Sequence, residues 1–318
     1  MYGLNNLKQT IIIDQKSVDC PVVGCTVKVE RQKVSFKREA KFNCPIHKIF
    51  ISPSTFEYET EQENLLWYDS IDKNLFDEIK KVKRESRIAR DNSEDALTWN
   101  VFRFLDRQSL LTNFLSHLSQ KVIKEAELIL WSYSPKEKSG WTHLKKARIE
   151  FGETIARGSE PDIIIRTDKA LYFIEAKLTA SNETKPSDLK NRKKYETGGN
   201  RLFSQIFKSD YETIAVKEKR YELMRFWLLG SWIAKQLKID FEFYSLVTQS
   251  REQEIEVDFG KHIIESADRK FSRLTWEQIY DFISPLINNK EKLKITEYFE
   301  NKTIGYISDG TIVKAFNV

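Results

Sequence analysis

Glu175 and Lys177 stand two residues apart at the end of the apolar run Leu171 to Ile174. Side chains alternate faces along a β-strand, so these two share one face and Ala176 takes the other. Ahead of them runs Glu160-Pro161-Asp162-Ile163-Ile164-Ile165-Arg166. A hairpin with either a two-residue loop (Asp168-Lys169) or a four-residue loop (Thr167 to Ala170) gives one register. It sets Arg166 against Leu171, Ile164 against Phe173 and Asp162 against Glu175. Opposed side chains have Cβ atoms roughly 4.5–5.5 Å apart, and like charges there repel, so the pair needs a compensating cation. Hard oxygen ligands without histidine or cysteine favour Mg²⁺ or Mn²⁺ over zinc. Such a metal lowers the pKa of a bound water, polarises phosphorus and stabilises the leaving oxygen, and Lys177 adds positive charge beside them. Phosphodiester hydrolysis is the natural reaction. A surface hairpin with an ordinary solvated Glu–Lys pair carries the same letters, and the surrounding elements have to separate the two readings.

A second constellation lies near the N-terminus. Cys20-Pro21-Val22-Val23-Gly24-Cys25 and Cys44-Pro45-Ile46-His47 give two ligand pairs separated by 18 residues. Cys20, Cys25, Cys44 and His47 suit a tetrahedral, structural Zn²⁺ site with all four positions filled by protein. The alternation Val27, Val29, Val34, Phe36 reads as a hairpin too small to hold together without the metal. Lys28, Arg31, Lys33, Lys37, Arg38, Lys41 and Lys48 crowd this module, either as a grip on a phosphate backbone or as a solvated face. The runs Lys80 to Arg90 and Lys190 to Lys194 carry the same two readings.

The elements that must position these groups follow from periodicity. Residues 1–60 read as the zinc-binding module and 61–90 as a charged helical linker. The main domain then spans 91–250, and 251–318 form a mostly helical C-terminal extension. Asn92 or Ser93 caps a helix carrying Leu97, Val101, Phe104, Leu105, Leu111, Phe114, Leu115 and Leu118. Ala126 to Tyr133 reads as a strand, Asp162 to Leu178 as the hairpin and residues 179–200 as a mobile loop. Helices are expected over Leu202 to Val216 and Arg220 to Leu237, and a strand over Asp240 to Val247. Tyr221, Phe226, Trp227 and Trp232 keep helical spacing and read as core rather than as a stacking platform. Helices over Trp276 to Ile287 and Lys292 to Phe299 close the chain, the first capped by Thr275.

Composition bounds the rest. The chain has 318 residues, 40% of them hydrophobic and 12% aromatic, enough for one large core or two modest ones. Lys plus Arg exceed Asp plus Glu by 52 to 47, so a net charge of +5 permits a polyanionic partner without requiring one. Met1 to Ile13 is short of a signal peptide, no stretch reaches the roughly 20 apolar residues of a membrane span, and three cysteines make a poor disulfide scaffold. A cytoplasmic protein without membrane association is expected.

With Pro161-Asp162 as a PD element and Glu175-Ala176-Lys177 as an EXK element, 12 residues lying between Asp162 and Glu175, the sequence resembles the PD-(D/E)XK nuclease superfamily of restriction endonuclease-like enzymes. The resemblance covers roughly half the chain. It implies an α/β fold with an α-β-β-β-α-β core, matching the helix, three strands, helices and strand read from periodicity over 91–250. It also implies that Asp162 and Glu175 hold Mg²⁺ (or Mn²⁺) and that Lys177 stands beside the nucleophile. Superfamily members often carry a further acidic residue on the helix before the first strand, which Glu94 resembles, although an acid in a helix's first turn needs no such role. Some carry a glutamine on the helix after the catalytic strand, where Gln205 is the match. Its spacing to Tyr211 does not reproduce the Q-x-x-x-Y pattern of the subgroup concerned.

The expected function is therefore a divalent-metal-dependent deoxyribonuclease, an endonuclease on double-stranded DNA, with a homodimer compatible with cutting both strands. One alternative is a catalytically silent nucleic-acid-binding protein using the zinc module. Another is a zinc-dependent interaction module that binds protein and ignores nucleic acid.

Overall fold

A computed structural model describes residues 4–83, 87–154 and 158–318. The chain is α/β and forms two compact units, Met1–Asp72 with Glu85–Phe104 and Trp276–Val318, and Lys73–Arg84 with Leu105–Thr275. Neither unit is a continuous stretch of chain, which differs from the serial division expected from the sequence.

The second unit is built on a mixed seven-stranded sheet. Its strands are β1 (Ala126–Leu130), β2 (Tyr133–Ser134), β3 (Ser139–Gly140), β4 (Ile163–Thr167), β5 (Ala170–Ala176), β6 (Asp240–Val247) and β7 (Arg269–Thr275). They lie in the order β7-β6-β5-β4-β1-β2-β3. The helices that matter here are α1 (Leu111–Ser119), α2 (Thr142–Glu150), α3 (Arg192–Arg201) and α4 (Tyr221–Leu237). β4 and β5 form the expected hairpin, closed by the two-residue loop, with Leu171 opposite Arg166 and Phe173 opposite Ile164. β5 and β6 are parallel, so the chain between them has to cross back over the sheet, and it does so through α3 and α4.

That crossover builds the core. Leu171 and Phe173 of β5, Phe241 and Phe243 of β6 and Phe271 of β7 pack with Leu223, Phe226, Trp227 and Ile233 of α4. Leu144, Ala147 and Phe151, in and just after α2, join the same cluster. The aromatic spacing in α4 thus serves packing, as read from the sequence. Gly230 lets the helix approach β6, because an added Cβ would lie 2.1 Å from the Phe241 ring. Gly230→Ala is expected to lower stability by about 1–3 kcal/mol, the usual cost of overpacking, measured by denaturant unfolding.

Several elements differ from the sequence reading. Residues 179–200 are no open loop, because α3 forms within them around the fully buried Tyr195. The helix expected over 202–216 splits into Phe203–Ile206 and a π-helical turn Glu212–Lys217, where Asp210 accepts from the Thr213 amide. Beyond residue 250 the chain adds a strand, β7, whose polar residues suit a sheet edge. Of the linker, Ser70–Lys80 is helical, and part of the Lys80 to Arg90 run lies outside the described residues. Asn92 to Leu118 divides into Glu94–Arg107 and α1 at Ser109, whose φ is 54°, and Ser93 caps the former by accepting from the Ala96 amide.

In the first unit Lys28–Glu30 pairs with Ser17–Asp19, Val29 opposite Val18, and not with Val34 and Phe36. The Cys20–Cys25 loop turns the chain back on the preceding strand, and Val34 is 93% exposed. A second small sheet joins Asn43–Cys44, Ile49–Ile51 and Phe56–Tyr58. The hairpin Thr303–Tyr306 with Ile312–Lys314 closes on this region. Tyr306 and Ile312 pack with Ile11, Val18, Ile51 and Phe56, and backbone bonds join Ile11 to Gly310, and Ile312 to Gln9. No described helix is long and apolar enough to cross a membrane.

Candidate functional site

Extending the β4–β5 register by one pair brings Asp162 opposite Glu175, as the hairpin arithmetic requires. Asp162 sits just before β4. Its backbone carbonyl accepts from the Trp131 amide at 3.0 Å and its Oδ2 from the Ala176 amide at 3.0 Å, which pins the carboxylate across the strand ends. Glu175 shares the β5 face with Leu171 and Phe173, the face that α4 covers, and is 3% exposed. Lys177 Nζ donates to Glu175 Oε1 at 2.5 Å and lies 3.5 Å from Glu222, in the first turn of α4. The other Glu175 oxygen, Oε2, is buried and has no hydrogen-bond partner among the described residues. Burial and the Asp162 carboxylate push the Glu175 carboxyl well above the usual range, against the pull of Lys177. Burial opposes the Lys177 charge, but Glu175, Glu222 and Asp162 outweigh it and hold the ammonium above its ordinary value.

The site therefore lies at the carboxyl ends of two parallel strands, β5 and β6, the usual place for function in an open α/β sheet. Ser245 of β6 stands opposite Glu175, and Asn182 Nδ2 donates to its Oγ at 2.9 Å and to Glu252 at 3.0 Å. The segment after β5 is thus tied down rather than free. Comparison with protein-family models, with curated proteins and with solved structures finds no match to this chain. What the site can do has to be argued from its own atoms.

Of the residues the sequence singled out, Asp162, Glu175 and Lys177 come together. Gln205 does not: it is exposed, its amide donates to the Asn200 carbonyl, and it lines a cavity with Lys238, Asp240 and Phe241. Asp240 pairs with Ala170, five residues and roughly 16 Å along the strand from Glu175, because the chain leaves the sheet's carboxyl end before Gln205 is reached. Glu94 opens the helix Glu94–Arg107 in the first unit, whereas the carboxylate pair belongs to the second. Glu160, two residues before Asp162, is partly exposed and lines a cavity. Glu222 was not legible as a site residue, since an acid in a first helical turn is ordinary.

A buried ion pair braces the neighbouring wall. Arg225, one turn beyond Glu222, donates to Glu153 at 3.0 Å, and Tyr195 and Ser159 also donate to Glu153. Burial raises the Glu153 carboxyl, but Arg225 and the Ser159 bonds outweigh it, leaving the group below the ordinary carboxylate value. A depressed carboxyl contributes stability that is present above its unfolded-state titration and is lost as pH falls through the folded value. Glu153→Gln, which removes the buried charge that faces Arg225, is expected to cost about 3 kcal/mol at neutral pH. It should also flatten the fall in unfolding midpoint below about pH 5, read by urea melts of both proteins across that range.

In the first unit Cys20 Sγ lies 3.4 Å from His47 Nδ1, Cys44 Sγ 3.6 Å from the same nitrogen and Cys25 Sγ 3.9 Å from Cys44 Sγ. All four ligand atoms fall within 4.8 Å of one another. A tetrahedron with Zn–S of about 2.3 Å and Zn–N of about 2.0–2.1 Å has S···S edges near 3.8 Å and S···N edges near 3.6 Å. The three cysteines are buried and carry no disulfide. Each ligand pair is carried at the tip of a hairpin, Gly24 supplying the positive φ that the first tip needs. This cluster could hold a metal such as zinc. Much of the module's basic charge is spent internally: Lys28 pairs with Asp14, Lys41 with Glu30 and Glu39, and Arg38 with Glu57.

Proposed function

We propose that this chain is a divalent-metal-dependent deoxyribonuclease that hydrolyses phosphodiester bonds, acting as an endonuclease on double-stranded DNA. The observation that carries the reading is the buried Glu175 Oε2, unpartnered and opposite Asp162, with Lys177 on the same face. A buried carboxylate beside a second one is costly unless a proton or a cation neutralises it, and two carboxylates converging at one place suit the cation. Asp162 and Glu175 would hold the ion, and their all-oxygen donor set fits Mg²⁺ or Mn²⁺. When bound, the metal supplies Lewis acidity and a more acidic water at neutral pH. Lys177, held by Glu175 Oε1 and Glu222, would keep a positive charge at Nζ beside a bound phosphate, leaving Glu175 Oε2 for the metal. Ala176, through its amide, keeps Asp162 aimed across the strand pair. Further support comes from the order α1, β1, β4, β5, α4, β6, which has the α-β-β-β-α-β sequence of the PD-(D/E)XK core, with β2, β3 and α2 inserted after β1.

The test is incubation of the full chain with plasmid and linear DNA in Mg²⁺, Mn²⁺ or EDTA, with Lys177→Ala alongside. Metal-dependent cutting that disappears in Lys177→Ala is expected. No cutting of double-stranded DNA, single-stranded DNA or RNA overturns the reading in favour of a silent nucleic-acid-binding protein.

A further inference from the structure

Beside the carboxylate pair lies a cavity of about 690 Å³, within the roughly 300–1,000 Å³ of small-ligand sites. Its lining is largely apolar, with Tyr133 buried and Val82 and Ile149 exposed at its edge, and Lys138, Lys145 and Arg148 line it too. Resting on the nuclease reading, we propose that this cavity is a subsite for one unstacked nucleotide of the strand being cut, its base against Tyr133, Val82 and Ile149 and its phosphate at Lys138 and Lys145.

Three observations support the assignment. First, the cavity and the carboxylates share a wall. Glu160 lines the cavity and Asp162 follows two residues later, at most about 7 Å along the chain. The cavity's other wall, α2, packs on the same sheet face as Glu175, since Leu144 and Ala147 meet Leu171 and Phe173 in one core. Second, the wall is fixed at a conformational cost. Trp131 and Ser132, the two-residue turn between β1 and β2, both take positive φ (46° and 71°), where residues other than glycine are strained. That turn directs the Trp131 amide to the Asp162 carbonyl and brings Ser132 to the cavity, where Arg148 Nη2 donates to Ser132 Oγ at 2.9 Å. Strain of this kind persists where surrounding structure holds it, and it accumulates at binding sites. Third, four cations, Lys81, Lys138, Lys145 and Arg148, line the cavity against three acids, Glu78, Glu153 and Glu160. Glu78 is paired with Lys81 and Glu153 with Arg225, whereas Lys138 and Lys145 form no ion pair with described residues.

An apolar lining selects the base rather than the sugar–phosphate chain, because a bare backbone has nothing to place against it. A base inside an intact duplex is stacked and paired and cannot enter without being extruded. The subsite therefore predicts preference for DNA with an unpaired nucleotide next to the cleavage point.

The experiment uses the full-length protein in EDTA, so that binding is read without cleavage. Fluorescence anisotropy compares a blunt duplex with the same duplex carrying a single-stranded tail, for wild type, Ile149→Trp, Lys138→Glu/Lys145→Glu and Asp162→Ala. Ile149 is 77% exposed, so the tryptophan fills the cavity without disturbing the core. The tailed duplex should bind about tenfold more tightly, the scale of one base-stacking contact. Ile149→Trp should erase that difference, the double lysine variant should weaken the tailed complex about tenfold or more, and Asp162→Ala should keep the preference. Metal-dependent cutting with equal affinity for blunt and tailed DNA overturns the subsite and leaves the nuclease reading intact. A tail preference that Ile149→Trp removes, in a protein that cuts nothing, supports the subsite and overturns the nuclease reading. Free dAMP binding more tightly than the tailed duplex overturns the assignment to a strand nucleotide.

Discussion

Glu175→Gln is expected to lower metal-dependent DNA cleavage by roughly 10²–10³-fold or more while leaving DNA binding in EDTA close to wild type. The substitution keeps the size of the side chain and removes the charge that a cation would meet. Lys177 retains Glu222 at 3.5 Å, so its ammonium is not stranded and the fold should survive. Asp162→Ala should reach a similar loss of activity less cleanly, because it also removes the acceptor of the Ala176 amide. The check is a pair of measurements on the same preparations, cleavage rate in Mg²⁺ and the rise in melting temperature that Mg²⁺ produces. Both should vanish in Glu175→Gln, since a ligand stabilises only the state that binds it. Wild-type cleavage by Glu175→Gln would remove Glu175 from the site.

The second large effect concerns the cysteine cluster. Elemental analysis of the wild type is expected to find one equivalent of zinc, and Cys44→Ser should abolish it and unfold more than the sequence segment that carries the ligands. Metal binding in modules of this kind contributes on the order of 10 kcal/mol to folding. From sequence, the loss would stop at residue 60. The shared core of Ile11, Val18, Ile51, Phe56 and Tyr306 extends it to the C-terminal hairpin, more than 200 residues away. Hydrogen exchange should show protection lost at Thr303–Tyr306 together with Ile49–Ile51, with β5 and β6 as the internal reference. Protection at Tyr306 that survives zinc removal would separate the hairpin from the metal.

The carboxylate site was legible because short-range rules decide it. A two-residue turn fixes the register of β4 and β5, the period of two puts Glu175 and Lys177 on one face, and Ser93 marks a helix start that polar chemistry requires. Long-range partners carry no such signature. Arg269–Thr275 reads as a polar segment until β6 lies beside it, and Tyr195 makes a helix of a charged stretch only because Glu153, Tyr211 and Tyr221 surround it. Lys28–Glu30 was expected to pair with the segment of Val34 and Phe36, but the turn at Cys20–Cys25 pairs it with Ser17–Asp19. Gln205 failed for the same reason, since its distance from Glu175 depends on where the crossover runs.

The C-terminal hairpin has a consequence for how the protein is made. Ser17–Asp19 and Phe56–Tyr58 are translated early, yet Tyr306 and Ile312, which complete their core, follow about 250 residues after Tyr58. At about 5–20 residues per second this is a delay on the order of tens of seconds, during which the cysteine ligands leave the ribosome without their final cover. Metal captured in that interval would hold the two tips until translation delivers the closing hairpin, so supply of zinc during synthesis, rather than after it, should govern the yield of folded protein.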